Sequence, residues 1–200
     1  MDSRKVVNGI IAELLVATVC YPLNTWKVRR QIGLRLTRDG IFKGFKWCLL
    51  NEFVDSLVFF SVAESSKSFS LASICSNTVS YPLYVRTKLL QSGKVGNGGF
   101  YHGFGLSLLN SVPGTTLNYT IKNKISKHVP DKYNWMSGYL GTGISLILTH
   151  PLSTLSTLVI TRHKVNPIKL LKYDGFGFRA LEQTISVGSK MLVMDFLNGL

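Results

Sequence analysis

The chain contains three copies of one short pattern, and this repeat constrains its fold more than any other feature. Each copy places Pro-Leu inside an apolar run and follows it with an aromatic-x-Gly-aromatic turn. The proline-to-glycine spacings are 22, 21 and 24 residues. Self-similarity on a period of roughly 60 to 70 residues predicts one supersecondary unit used three times, over 1–67, 68–132 and 133–200. The copies are Tyr21-Pro22-Leu23 with Phe42-Lys43-Gly44-Phe45, Tyr81-Pro82-Leu83 with Tyr101-His102-Gly103-Phe104, and His150-Pro151-Leu152 with Tyr173-Asp174-Gly175-Phe176.

The composition and the long uncharged stretches indicate a membrane protein. Hydrophobic residues make up 46% of the chain and charged residues only 16%. The ranges 68–85, 95–121 and 133–161 contain no Asp, Glu, Lys or Arg. A helix needs about 18 to 20 such residues to cross a hydrocarbon core of about 30 Å. Each stretch is therefore long enough for one crossing.

Each repeat is predicted to contribute two transmembrane helices. The first helices cover about 6–32, 69–91 and 135–162. A proline inside each one removes a backbone hydrogen bond, so we expect kinks at Pro22, Pro82 and Pro151. The second helices follow the glycine turns, at about 46–66, 104–126 and 177–198. Short basic amphipathic stretches between them, such as 167–173, suit helices that lie on a membrane surface. The fold class is an all-α membrane protein with six crossings.

The positive charge of the chain is concentrated beside the predicted spans. The net charge is +13, and 13 of the 23 Lys and Arg residues lie between a repeat proline and its glycine. In a soluble protein this bias would indicate nucleic acid binding. Here the basic runs flank apolar segments, so we expect contact with anionic lipid and no nucleic acid partner.

The sequence contains no pattern typical of an enzyme, a metal site or a cofactor site. It has no HExxH, no GxxxxGK[ST] and no Cys/His cluster with metal-ligand spacing, and its four histidines are dispersed. Cys20, Cys48 and Cys75 lie in apolar surroundings without a CxxC pair, which favours buried reduced thiols.

The three motifs together resemble the mitochondrial carrier family, and the match covers essentially the whole chain. The family has three repeats, each with Pro-x-[Asp/Glu]-x-x-[Lys/Arg] in its first helix and [Phe/Tyr]-x-Gly before its second. The resemblance implies a three-fold pseudosymmetric barrel of six helices around a central water-filled site. At 200 residues the chain is short for a protein of this family. We expect a monomer in the mitochondrial inner membrane or another organelle membrane, with anionic lipid at the surface helices and at Gly44, Gly103 and Gly175.

The chain departs from the family at the gate on the matrix side. There the family closes a ring of ion pairs between the acidic and basic positions of its proline motifs. The acidic positions here are Asn24, Tyr84 and Ser153, and of the basic positions only Lys27 is charged. We expect Lys27 to hydrogen-bond to one of those three side chains instead. Gln31 and Gln91 match the bracing glutamine of the family, and Ile160 replaces the third. The predicted residues of the matrix-side gate and kinks are Pro22, Lys27, Gln31, Pro82, Gln91 and Pro151.

A second gate is expected at the ends of the even helices, on the opposite side of the membrane. The family carries [Phe/Tyr]-[Asp/Glu]-x-x-[Lys/Arg] there. The matching charged residues are Glu64 and Lys67, with Lys122 and Asp195 as possible partners. The alternative is a set of solvated helix ends that contribute little energy.

The resemblance also implies solute contacts on the even helices, seven and eight residues after each repeat glycine. With Arg179, one turn away, the predicted solute-binding residues are Asn51, Glu52, Asn110, Ser111, Arg179, Glu182 and Gln183. Two carboxylates beside one arginine favour a zwitterion or cation, such as an amino acid, over a bare dicarboxylate. A nucleotide stays open if Arg179 and Arg86 bind its phosphates.

Two functions follow from these observations. The first is a secondary transporter that exchanges a small polar metabolite by alternating access. The alternative is a carrier-like membrane protein that no longer transports and acts as a receptor or scaffold, which the altered matrix-side gate favours.

Overall fold

The described residues fold into α-helices, three of which follow a glycine turn. A computed structural model describes residues 3–35, 40–94, 99–128, 134–163 and 175–186, and these ranges contain no strand. The helices are α1 (Ser3–Gln31), α2 (Phe45–Ser66), α3 (Phe69–Gln91), α4 (Phe104–Ser126) and α5 (Asn134–Ile160). A sixth helical segment, α6, covers 176–186 within the described residues.

The glycine turns of the first two repeats are built in the same way. Gly44 and Gly103 have φ of 87° and 79°, a left-handed conformation that glycine adopts without strain. The tyrosine before each repeat proline donates a hydrogen bond to the residue before the glycine, from Tyr21 to the Lys43 carbonyl at 2.6 Å and from Tyr81 to the His102 carbonyl at 2.7 Å. These bonds fix each turn against its own odd helix, which explains why an aromatic residue and a glycine recur together.

Each glycine turn also packs against the odd helix of another repeat. A Cβ added to Gly44 would lie 3.1 Å from Leu90 in α3, and one added to Gly103 would lie 3.3 Å from Ile160 in α5. A Cβ added to Gly175 would lie 3.2 Å from the Lys27 carbonyl in α1. The contacts therefore pass from the first repeat to the second, to the third, and back to the first.

The odd helices contact one another through a buried side chain nine residues after each proline. Gln31 in α1 donates to Thr154 Oγ1 in α5 at 3.2 Å, and Gln91 in α3 donates to Thr25 Oγ1 in α1 at 3.3 Å. In the third repeat Ile160 takes this position and packs in one apolar cluster with Val85 of α3. Val85 follows its proline by three residues, as Thr25 and Thr154 do. The contact between α5 and α3 is therefore apolar on both helices, whereas the two equivalent contacts are polar.

Each odd helix exposes a set of apolar side chains and has polar as well as apolar residues on its buried face. On α1, Val7, Ile11, Leu15 and Val19 recur every four residues and are exposed, whereas Ile10, Ala12 and Val16 are buried and Glu13 lines an internal cavity. A continuous exposed apolar stripe of this kind suits a lipid surround. Exposed apolar side chains also lie along α3 and α5, namely Phe69, Leu71, Ile74, Val79, Leu140, Ile144, Ile147 and Leu148.

Two helices among the described residues are long and apolar enough to cross a membrane, Val7–Gln31 and Gly138–Ile160. The predicted helix ends agree with the observed ones to within three residues wherever both are described. Helices α1, α3 and α5 contain the repeat prolines as expected, and Pro113 inside α4 is an addition to that set. The predicted surface stretch 167–173 lies outside the described residues.

Candidate functional site

The described residues line three polar chambers between the helices, and we name each after the odd helix that it borders. The α3 chamber has a volume of about 370 Å³, the α1 chamber about 160 Å³ and the α5 chamber about 180 Å³. The α3 chamber is lined by Glu13, Asn51, Glu52, Asp55, Phe59, Ser73, Ser76, Asn77, Ser80, Tyr81, Tyr84, Ser107, Asn110, Ser111, Thr115 and Asn118. The α1 chamber is lined by Glu13, Val16, Ala17, Cys20, Tyr21, Asn24, Cys48, Glu52, Glu182, Gln183 and Ser186. The α5 chamber is lined by Asn110, Ser111, Gly114, Thr115, Asn118, Thr142, Ser145, Leu146, Thr149, Arg179 and Gln183.

Each pair of chambers shares lining residues, and we refer to the three chambers together as the central cavity. Glu52 lines the α1 and α3 chambers, Asn110 lines the α3 and α5 chambers, and Gln183 lines the α5 and α1 chambers. All seven residues that the sequence predicts as solute-binding line at least one chamber. The structure therefore brings this whole set together around the three adjoining chambers.

Four buried polar atoms in this cavity have no hydrogen-bond partner among the described residues. They are Asn51 Oδ1, Asn110 Oδ1, Ser111 Oγ and Arg179 Nη1. Buried polar atoms in folded proteins are nearly always paired, and leaving one unpaired costs about 1–3 kcal/mol. Four such atoms in one cavity are the pattern expected of a site that binds a polar ligand or water.

A buried ion pair involves Glu182, one of the residues that line the cavity. Lys27 Nζ lies 2.6 Å from Glu182 Oε2, and the two side chains are only 12% and 11% exposed. The pair joins α1 to α6 across 155 residues of sequence. The predicted partners of Lys27 were Asn24, Tyr84 and Ser153, and this prediction is wrong because a carboxylate within reach is a stronger acceptor than a neutral group.

Two further cations lie close to this ion pair. Lys88 is buried, donates to Asn24 Oδ1 at 3.0 Å and lies 5.2 Å from the centre of the Tyr84 ring. Arg179 donates through Nη2 to Thr149 Oγ1 at 3.0 Å. Both lie within electrostatic range of Glu182, so one carboxylate interacts with three positive groups.

Lys88 is the main residue that sequence reasoning missed. The basic position of the proline motif falls on Thr87, a neutral residue, and Lys88 follows it directly. The spacing of Tyr84, Lys88 and Gln91, four and three residues apart, puts all three on one helix face and could have revealed it. Arg86 was wrongly considered for the cavity. It is exposed and stacks over the Trp47 ring at 4.1 Å.

The predicted gate on the opposite side is described only in part. Glu64 and Lys67 are exposed at the end of α2, and the Lys67 backbone N–H caps that helix by donating to the Ala63 carbonyl. The side chain of Lys122 and all of Asp195 lie outside the described part of the chain. Both gate sets therefore remain predictions about function.

Comparison with known proteins gives two relatives of the same kind. No protein-family model matches the chain. An Arabidopsis thaliana protein named "Probable S-adenosylmethionine carrier 2, chloroplastic" is 23% identical over 202 residues, which cover 80% of this chain and 59% of the relative. A mitochondrial carrier-like protein of Acanthamoeba polyphaga mimivirus is 23% identical over 145 residues, which cover 62% of this chain and 61% of the relative. The chain is similar to carrier proteins. It spans about three fifths of the length of each curated relative.

Proposed function

We propose that the chain is a solute carrier of the mitochondrial carrier type, which exchanges a small polar metabolite by alternating access through the central cavity. The observation that carries this proposal is the set of unpaired polar atoms on Asn51, Asn110, Ser111 and Arg179. A solute with complementary donors and acceptors would hydrogen-bond to these atoms on binding. A cavity that no longer bound a solute would have no use for such unpaired polar atoms. The similarity to two carriers supports the same class.

The proposed architecture is the three-fold pseudosymmetric barrel with six crossings. It is supported by the cyclic packing of the three glycine turns and by the outward apolar faces of α1, α3 and α5. We place this barrel in an organelle membrane, as a monomer, with anionic lipid at the glycine turns Gly44, Gly103 and Gly175. The inner membrane of mitochondria is the first candidate.

The proposed solute carries both a positive and a negative charge. Arg179 Nη1 is a buried donor without a partner among the described residues, which suits a carboxylate or phosphate. The carboxylates of Glu13 and Glu52 line the same cavity and suit an ammonium or sulfonium group. S-adenosylmethionine, the solute in the name of the Arabidopsis relative, combines an amino acid, a sulfonium cation and a nucleoside. It is therefore the first solute to test, followed by cationic amino acids and nucleotides.

The Lys27–Glu182 ion pair is proposed as the matrix-side gate of this carrier. In the family that gate is a ring of ion pairs, and here one pair with a binding-site carboxylate replaces it. A positive group that competes with Lys27 for Glu182 would weaken the closure. Solute binding and opening would then be linked through differential interaction with the two states.

Uptake by reconstituted vesicles tests the proposal. Purified protein in liposomes should take up labelled S-adenosylmethionine or another solute of the panel, and Arg179→Gln should reduce uptake at least about tenfold by removing one charge-assisted contact. Arg86→Gln is the matched control, because Arg86 is exposed and stacks on Trp47. No uptake of any panel solute by folded protein would contradict transport and favour the receptor or scaffold alternative.

A further inference from the structure

Among the described residues, one basic side chain lines the central cavity, and it belongs to the α5 chamber. This side chain is Arg179, and within the same described ranges no Lys or His lines any of the three chambers. Arginine stays charged in proteins, and a charge within a membrane span usually faces a partner or water. Glu182 lies within electrostatic range of Arg179, but its Oε2 already lies 2.6 Å from Lys27 Nζ. The negative group of a solute is therefore expected to bind in the α5 chamber.

Hydrogen bonds hold the Arg179 guanidinium in one orientation. Arg179 Nη2 donates to Thr149 Oγ1 at 3.0 Å. The Thr149 hydroxyl uses its own hydrogen to donate to the Ser145 carbonyl at 2.8 Å, so its oxygen is left to accept from Arg179. Thr149 is buried, and a Cβ added to Gly114 of α4 would lie 3.3 Å from its Cγ2. Because a β-branched side chain packed in this way has few χ1 choices, Thr149 fixes the position of Nη2.

Two donors in the same chamber are left without an acceptor. Arg179 and Ser111 both line the α5 chamber, and Arg179 Nη1 and Ser111 Oγ have no hydrogen-bond partner among the described residues. Nη1 carries two hydrogens and the serine hydroxyl carries one, whereas a carboxylate has two oxygens that accept several hydrogen bonds. Charge-assisted bonds of this kind are the stronger ones. The two side chains are therefore chemically complementary to a carboxylate.

The balance of charge favours a carboxylate over a phosphate. A carboxylate carries one negative charge, which one guanidinium can balance. A phosphate monoester carries about −1.5 to −2 at neutral pH, and the described residues supply no second cation to this chamber. Asn110 Oδ1 also belongs to a residue of this chamber and is an acceptor without a partner among the described residues. A further acceptor suits a ligand with few negative oxygens.

We propose that the α5 chamber binds the carboxylate of the solute through Arg179 Nη1 and Ser111 Oγ, and that Thr149 is the positioning residue that orients Arg179 for this contact. The inference rests on the proposed function for the route by which the solute enters. It narrows the negative group of the solute to a carboxylate and adds Thr149 to the residues that determine specificity. Without the Thr149 hydroxyl the guanidinium keeps its charge but loses its fixed orientation, so the carboxylate binds more weakly.

Ligand-dependent thermal stabilisation of the purified full chain tests this site without requiring transport. The probes are two matched pairs, S-adenosylmethionine with its decarboxylated form and arginine with agmatine, each titrated at constant ionic strength. A ligand that binds only the folded state raises the melting temperature in a saturable way. In at least one pair, the carboxylate probe should bind at least about tenfold more tightly than its decarboxylated partner. Binding of neither carboxylate probe, or equal binding within both pairs, would overturn the proposal.

Variants at Thr149 separate positioning from a structural role. Thr149→Val keeps the shape of the side chain but removes the hydroxyl, so it should weaken binding of the carboxylate probe at least about fivefold and leave the decarboxylated probe unchanged. Thr149→Ser keeps the hydroxyl and should bind both probes nearly as the wild type does. Thr157→Val is the matched control, because Thr157 is buried in α5, donates to the Ser153 carbonyl at 2.9 Å and lines none of the three chambers. Equal weakening of both probes by Thr149→Val would overturn the positioning role.

Ser111 provides a second test if Thr149→Val fails to fold. Ser111→Ala removes one neutral donor, so it should weaken binding of the carboxylate probe about two- to tenfold and leave the decarboxylated probe unchanged. Unchanged binding of the carboxylate probe by folded Ser111→Ala would overturn the assignment of this site.

Three further outcomes identify the anionic group and distinguish this proposal from the proposed function. Adenosine monophosphate that binds more tightly than either carboxylate probe, and loses this binding in Arg179→Gln, would overturn the carboxylate in favour of a phosphate. Carboxylate binding that depends on Arg179 and Thr149, in a protein that takes up no solute, would support the site while the proposed function fails. Uptake of a carboxylate solute that Thr149→Val leaves unchanged would contradict the positioning role while transport stands.

Discussion

Removing the carboxylate of Glu182 should destabilise the protein more than removing the ammonium of Lys27. Their charged atoms lie 2.6 Å apart, and at an effective dielectric constant of about 20 this corresponds to about 6 kcal/mol of attraction. Desolvation offsets part of this, and breaking a buried pair costs about 3–5 kcal/mol. Glu182→Gln leaves Lys27, Lys88 and Arg179 without the carboxylate that interacts most strongly with all three. Lys27→Met still leaves Glu182 two cations.

A double-mutant cycle in detergent measures this asymmetry. Glu182→Gln should lower the melting temperature by about 10 °C, since about 1 kcal/mol corresponds to about 2–4 °C in a protein of this size. Lys27→Met should lower it less, and the double variant should be more stable than Glu182→Gln alone. Lys43→Met, at an exposed lysine, is the control and should change little. Equal losses in the two single variants, adding up in the double variant, would refute the shared electrostatic cluster.

Three further predictions concern the repeat architecture, and melting temperatures check each of them. Gly103→Ala should lower the free energy of unfolding by about 2–3 kcal/mol, and Gly93→Ala by only about 1 kcal/mol. Both glycines have a positive φ, but a Cβ would meet other atoms within 4 Å only at Gly103. Equal losses in the two variants would contradict the close packing of the turn. Ile160→Gln should lower the free energy of unfolding by about 1–3 kcal/mol. Adding Val85→Thr should restore much of this stability, because it rebuilds the polar contact seen in the other repeats. A double variant no more stable than Ile160→Gln would contradict this pairing. Tyr81→Phe should cost about 1 kcal/mol through loss of its 2.7 Å hydrogen bond to the turn, and an unchanged stability would show that packing alone holds the turn.

The repeat allowed much of the cavity to be predicted from the sequence. Equal offsets from Gly44, Gly103 and Gly175 select equivalent helix positions, so Asn51 and Asn110 could be assigned to one space without coordinates. The adjacent predicted residues, Glu52 and Ser111, follow from the same offset. The motif spacing alone is therefore enough to predict which residues line the cavity.

The partners of the charged residues could not be predicted in this way. The Lys27–Glu182 contact depends on the rotation of two helices that are 155 residues apart in sequence. Arg86 and Lys88 illustrate the same difficulty, because a helix turns about 100° per residue and two positions change an outward side chain into an inward one. The spacing of the motif identified α3 as a helix that borders the cavity, but it did not identify which of its basic side chains points inward.

Chemical modification of Cys48 is the measurement that tests the central claim most directly, namely that solute passes through the central cavity. Cys48 lines the α1 chamber, whereas Cys75 lines none of the chambers among the described residues. Vesicles that contain a variant with Cys48 as its only cysteine should take up solute, lose uptake when a thiol reagent modifies it, and be protected by excess solute. A variant with Cys75 alone should keep its uptake after the same treatment. Uptake that continues with Cys48 fully modified would contradict the account.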